Sequence, residues 1–198
     1  MLSAYKPKLN PLILIISKPF LKLSPNVISI IGVIPPILFF GFLVGGLSRC
    51  AFLSLFLFIF DAIDGAVARQ TGQVTKFGGL LDSTLDRFAD ALLITAFSFA
   101  MIVPWSITIP TLISAYLTSY VRSRAELAGD GKIKLDIGII ERTERIIVIG
   151  IATLLWLFSK ENIIFDLNIS SLIFVFLGLL SFITVIQRLT VASRLLNK

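Results

Sequence analysis

The chain has 198 residues, 56% of them hydrophobic and only 15% charged, with a net charge of +6 and no histidine. Soluble domains carry about a quarter charged residues, so this depletion and the long apolar runs exclude an ordinary water-soluble fold and indicate an all-α integral membrane protein. The missing histidine excludes imidazole acid–base chemistry and imidazole metal ligands, and the lone Cys50 excludes an internal disulfide.

The first residues, MLSAYKPKLN, lack the apolar core and small-residue cleavage site of a signal peptide. Residues 9–22, LNPLILIISKPFLK, are apolar, broken by Pro11 and Pro19 and flanked by lysines. They are short for a span and are read as an amphipathic helix lying in the membrane interface. Ser24–Asn26 looks like a helix start, with Asn26 as the N-cap. Six spans are expected after it, over roughly 27–46, 52–69, 78–103, 105–122, 139–157 and 163–189. Pro35 and Pro36 are expected to kink the first of these. No linker or internal repeat divides the sequence, so 1–198 is read as one domain.

Under six spans, the N-terminal lysines, Arg69, Lys76, the 122–145 cluster and the C-terminal tail fall on one side, leaving Arg49 and Lys160 on the other. The positive-inside rule then assigns both termini to the cytoplasm. The net positive charge is read as facing an anionic leaflet or an anionic substrate, with no nucleic-acid partner.

Five aspartates interrupt this apolar chain: Asp61, Asp64, Asp82, Asp86 and Asp90. Asp61 and Asp64 are spaced i, i+3 on the second expected helix; Asp82 and Asp86 are i, i+4 on the third, with Asp90 continuing the row. A hairpin of the two helices would bring these faces together near its cytoplasmic end. An ionised Asp at mid-membrane costs on the order of 2.5–3.5 kcal/mol, and clustered like charges add to that. Divalent cations remove the conflict, and an all-carboxylate set without His or Cys suits Mg²⁺, Mn²⁺ or Ca²⁺. Two such ions sharing the carboxylates are the arrangement used for phosphoryl displacement. Gly65, Ala66 and Ala68 leave room beside the acids, and Arg69, one turn after Gly65, is placed to meet a phosphate oxygen. Gly78 and Gly79 are expected to offer backbone N–H groups to phosphate at the start of the third helix. Taken singly, the small residues read as packing contacts, Arg69 as a membrane anchor, and Asp90 as a structural partner of Arg87.

The series Asp61, Asp64-Gly65, Ala68-Arg69, Gly78, Asp82 and Asp86, with its spacings, resembles the complete signature of the CDP-alcohol phosphotransferase family. The resemblance implies a lipid-synthesis enzyme in which an alcohol hydroxyl attacks the β-phosphate of a CDP-linked lipid and CMP leaves. It implies that Asp61, Asp64, Asp82 and Asp86 bind Mg²⁺ or Mn²⁺, with Asp86 also the general base. Asn26, Asp61, Gly65, Ala68, Arg69 and Gly78 are then the expected CDP contacts, and a homodimer is the expected assembly.

The second half of the chain bears on the acceptor. Ser119–Glu126, Gly138–Val148 and Thr184–Arg188 are rich in arginine, and Arg124, Arg142, Arg145 and Arg188 are expected to hold a phosphate by charge-assisted bonds. Positive-inside anchoring and Glu141–Arg145 helix pairing are the plainer use of the same residues. The runs Arg124-Ala125-Glu126 and Gly138 to Arg145 resemble the branch of the family whose acceptor is inositol 1-phosphate. The donor on that reading is a diacylglycerol- or archaeol-linked CDP. Glycerol 3-phosphate is the rival acceptor, and a cation or proton transporter is the rival class. Transport would place acids through to both faces, whereas these gather on one hairpin.

Overall fold

The computed structural model describes residues 17–164 and 166–197, and the side chains of all these except 59–62. The chain forms two compact units, Met1–Ala96 and Phe97–Lys198. Most of the expected interfacial helix, residues 9–16, lies outside the described residues; its end is a 3-10 turn at Lys18–Phe20.

In the first unit, helix boundaries follow the prolines, glycines and small polar residues. Helix α1 covers Pro25–Ile31 with Pro25 in the first turn, where its missing N–H costs no hydrogen bond. The N-cap position therefore belongs to Ser24, and Asn26 lies inside the helix, contrary to expectation. Helix α2 covers Ile34–Val44. The break falls at Gly32–Val33, just before Pro35 and Pro36, because prolines are tolerated in a first turn and not in a helix interior. Helix α3, Ser48–Ser54, runs through a 3-10 turn at Leu55–Phe58 into α4, Ile59–Thr71. Gly72 ends α4 at φ 67°, a left-handed conformation open to glycine, and Gln73 N–H closes the turn on Ala68 O at 2.9 Å. Helix α5, Lys76–Phe99, begins two residues before the expected Gly78. Thr75 sets this start: its Oγ1 accepts from Gly78 N at 2.9 Å and its carbonyl from Gly79 N at 3.2 Å. Ile28, Ile63 and Val67 form a buried cluster, with Phe20 against it, that packs α1 on α4.

In the second unit, α6 covers Trp105–Ala128, outrunning its expected end at residue 122. Helix α7, Arg142–Phe158, opens three residues later than expected, at a capping box in which Glu141 and Glu144 exchange bonds with each other's backbone. The expected last span from residue 163 is preceded by a short antiparallel hairpin, β1 Asn162–Ile164 and β2 Leu167–Asn168. Helix α8 then covers Ile169–Leu196, capped by Asn168, whose side chain accepts from Ser171 N at 2.9 Å and donates to Ile102 O. Gly178 lets α8 approach α6 closely; a Cβ there would sit 2.8 Å from Thr111 Oγ1. Thr111 in turn donates to Phe174 O across the same contact. Between α6 and α7, Leu135 is buried with Ala125 and Ala192, so the connector is strapped onto α6 and α8.

Three stretches, Pro25–Val44, Ser48–Thr71 and Ile169–Leu196, are long and apolar enough to cross a bilayer. Their outward side chains include Phe56 and Leu53, both more than half exposed. Apolar surface on this scale suits lipid and not water. The chain is a helical membrane protein.

Candidate active site

The acidic side chains of the first unit sit on α4 and α5. Asp64 is 7% exposed, and both of its oxygens are engaged: Ser29 Oγ on α1 donates to Oδ2 at 2.5 Å, and Gly65 N donates to Oδ1. A buried carboxylate needs such donors to offset its lost hydration. Ser29 is thus a site residue that the motif does not contain. Its signal in the sequence is small: one hydroxyl within the apolar run Val27–Ile31.

Asp82 and Asp86 are half-buried on α5, and Asp90 is buried one turn further on. Arg87 places Nη1 3.5 Å from Asp86 Oδ2 and also donates to Ser83 O. Asp61 lies on α4 with its side chain outside those described. Among the described residues no three acidic side chains are gathered as a ready cluster for an ion. The donor set nevertheless fits a hard divalent cation by its chemistry: carboxylate oxygens on two helices, with Asp64 already oriented by Ser29.

Gly65 and Arg69 act as a pair. The Arg69 side chain folds back along α4, and a Cβ on Gly65 would lie 3.4 Å from Arg69 Nη1 and 3.9 Å from Nη2. Glycine therefore leaves the guanidinium room beside the acidic face. Asn26 on α1 is drawn to the start of α5, with its Oδ1 3.4 Å from the position of a Gly78 Cβ. Asn26, Gly65, Ala68, Arg69 and Gly78 all belong to this unit. The Gly78 and Gly79 N–H groups, expected to face a phosphate, are spent on the Thr75 cap.

The arginines of the second unit differ from one another. Arg124 is exposed, Arg142 is half-buried in the first turn of α7, and Arg145 is only 1% exposed. Arg188, 4% exposed, donates from Nε to Ile137 O at 2.7 Å, from Nη1 to Thr118 O at 2.6 Å and from Nη2 to Glu141 Oε1 at 3.4 Å. It ties α6, the connector and the cap of α7 to α8. Glu141 serves as the α7 cap and also meets Arg188.

Comparison with known proteins agrees with the acidic signature. The sequence model of the CDP-alcohol phosphatidyltransferase family matches residues 22–193. The archaetidylinositol phosphate synthase of Pyrococcus horikoshii is 41% identical over 201 residues, covering 100% of this chain and 99% of that protein. The fold is similar to that of Mycobacterium tuberculosis phosphatidylinositol phosphate synthase in a crystal structure with CDP-DAG bound. The TM-score is 0.76 at 26% identity, over 91% of this chain and 92% of the other. A second structure of that enzyme, in complex with manganese and citrate, matches with a TM-score of 0.74 at 26% identity, over 89% and 88% of the two chains.

Proposed function

The chain belongs to the CDP-alcohol phosphatidyltransferase family, and on that footing we propose that it joins a CDP-linked lipid to inositol 1-phosphate with release of CMP. The full-length identity to an archaetidylinositol phosphate synthase carries this reading. The acceptor hydroxyl oxygen bonds to the β-phosphorus of the donor, and the bond from that phosphorus to the bridging oxygen breaks, so CMP leaves with the bridging oxygen. Asp86 takes the hydroxyl proton. Its carboxylate is half-buried, with Arg87 Nη1 3.5 Å from Oδ2, and a base for this step must come within hydrogen-bond reach of the acceptor hydroxyl. Arg69, with its room secured by Gly65, holds donor phosphate, and Asn26 lies on the nucleotide side.

Asp61, Asp64, Asp82 and Asp86 would hold Mg²⁺ or Mn²⁺, which supplies neutralisation of the pyrophosphate and of departing CMP. The relative solved in complex with manganese supports a divalent ion of this kind. Arg142 and Arg145 bind the acceptor phosphate, with Arg124 at the exposed end. Arg142 opens α7, where the helix N-terminus also favours an anion. Arg188 serves by holding the connector, through bonds already directed at protein oxygens.

The finer topology belongs to the same proposal. Helices α1–α2, α3–α4, α5, α6, α7 and α8 supply six spans; at 1.5 Å per residue, the 24 residues each of α5 and α6 reach across the hydrocarbon. An interfacial helix precedes them. The lysine and arginine distribution puts the termini and the acidic face at the cytoplasmic side of the cell membrane. The protein acts as one domain, in keeping with the family match over 22–193, and the homodimer implied by the family resemblance is part of the same reading.

The test is product analysis by mass spectrometry. Purified enzyme in lipid vesicles receives CDP-archaeol or CDP-diacylglycerol with Mg²⁺ and, separately, inositol 1-phosphate, free inositol or glycerol 3-phosphate. A lipid product and CMP with inositol 1-phosphate alone support the reading. Equal turnover with free inositol overturns the arginine–phosphate argument, and turnover with glycerol 3-phosphate alone moves the enzyme to that acceptor.

A further inference from the structure

The last two residues of the connector before the α7 cap, Ile139 and Ile140, are held through their amides by one hydroxyl. Thr184 on α8 is fully buried, and its Oγ1 accepts from both Ile139 N and Ile140 N, each at 3.2 Å, while donating to Leu180 O at 2.9 Å. Ile140 is 3% exposed, so its N–H has no water to turn to. Gly138, immediately before these amides, stands at φ 145°, where side chains are strained, and a Cβ there would lie 2.5 Å from Thr184 Cγ2. The two residues fit as a latch, the methyl against the bare glycine and the hydroxyl on the next two amides. Directly after those amides, Glu141 caps α7 and Arg142 is its first helical residue.

We infer that Thr184 and Gly138 are positioning residues that set the acceptor-phosphate arginines at the start of α7. This rests on the reading that Arg142 binds the acceptor phosphate. Neither residue needs to touch substrate. The latch fixes where the backbone of 138–141 runs, and therefore from where the Arg142 side chain reaches.

Thr184→Val keeps the shape and removes the acceptor for two amides. It is expected to raise the KM for inositol 1-phosphate about tenfold, equivalent to about 1.4 kcal/mol of lost binding. Donor KM and kcat should stay within about twofold, because the loss is in ground-state acceptor binding. Thr184→Ser keeps the hydroxyl and should restore the acceptor KM, which a purely space-filling role would not predict. Gly138→Ala should reproduce the valine effect from the other side of the latch. Arg142→Ala is the control. If it raises acceptor KM while Thr184→Val and Gly138→Ala do not, the latch is overturned and the arginine reading survives. If Arg142→Ala leaves acceptor KM unchanged, the arginine reading falls and the latch proposal with it. Should the variants lose their monodisperse peak in detergent, amide hydrogen exchange of the unaltered protein decides. Slow exchange at 139 and 140 that slows further with inositol 1-phosphate supports the latch, and fast exchange indifferent to it refutes the proposal.

Discussion

Replacing Gly65 by alanine separates a substrate pocket from a packing contact, because the two roles predict stability changes of opposite sign. Gly65 lies inside α4, and the three heavy atoms nearest an added Cβ are all in the Arg69 guanidinium, at 3.4, 3.9 and 4.0 Å. A guanidinium at the end of a flexible side chain can move aside by a few tenths of an ångström, so the fold has little to lose. Meanwhile glycine in a helix interior costs about 0.5–1 kcal/mol relative to alanine. For a chain of this size, 1 kcal/mol corresponds to about 2–4 °C in Tm. Gly65→Ala should therefore leave the apparent Tm in detergent unchanged or raise it by about 2 °C. Arg69, however, is pushed from the place where, on the proposed function, it meets donor phosphate. A charge-assisted hydrogen bond contributes about 1.5–3 kcal/mol, and loss at the lower end corresponds to about a tenfold rise in donor KM. The assay is CMP release against CDP-lipid concentration at saturating acceptor, beside a thermal scan of the same preparation. A Tm lowered by several degrees would make Gly65 a packing residue. An unchanged donor KM would remove Arg69 from the donor site.

Three other substitutions bear on the remaining parts of the site and fold. Asp86→Asn should lower kcat by about 10²–10⁴ while the protein still binds CDP-lipid, measured by single-turnover CMP release and equilibrium dialysis; turnover near the native rate would assign the base elsewhere. Ser29→Ala removes the donor on Asp64 Oδ2 and should raise the Mn²⁺ concentration for half-maximal thermal stabilisation about tenfold, as expected for a group that orients a ligand; an unmoved midpoint would separate Ser29 from metal binding. Gly178→Ala forces a Cβ to 2.8 Å from Thr111 Oγ1 and 3.4 Å from Thr111 Cα, and overpacking of this kind costs about 1–3 kcal/mol, so the apparent Tm should fall by several degrees with little change in either KM.

The acidic signature was legible because helical spacing alone puts Asp82 and Asp86 on one face, and an apolar chain has no cheap use for them there. The helix boundaries were less so, since hydropathy registers burial and not capping. Thr75 starts α5 two residues early, and Asn168 starts α8 six residues after the expected 163. The hairpin at 162–168 was invisible for the same reason: NIIFDLN continues the apolar run with only one acid in it. Ser29 and Thr184 were missed because each is a single hydroxyl whose partner lies 35 or 44–45 residues away. Arg188 was recognised as a cation near the end of a span, but its acceptors, Ile137 O and Thr118 O, are 51 and 70 residues distant and carry no sequence signal of their own.

The contrast between Arg188 and Arg142 shows how one residue type is divided between two duties in the second unit. A guanidinium taken out of water must find oxygen acceptors or it destabilises the fold. Arg188 satisfies this with two carbonyls and a carboxylate, drawn from α6, the connector and the α7 cap. Its charge is therefore committed to the protein before any substrate arrives, and its effect on binding is through the backbone it holds. Arg142, half-buried in the first turn of α7, follows directly after that fixed backbone. An anion reached by Arg142 gains a donor whose base is already immobilised, so less ordering entropy is lost on binding. On the proposed function, cations of the first kind position cations of the second kind, so a count of arginines in the sequence overstates how many are free to reach the acceptor.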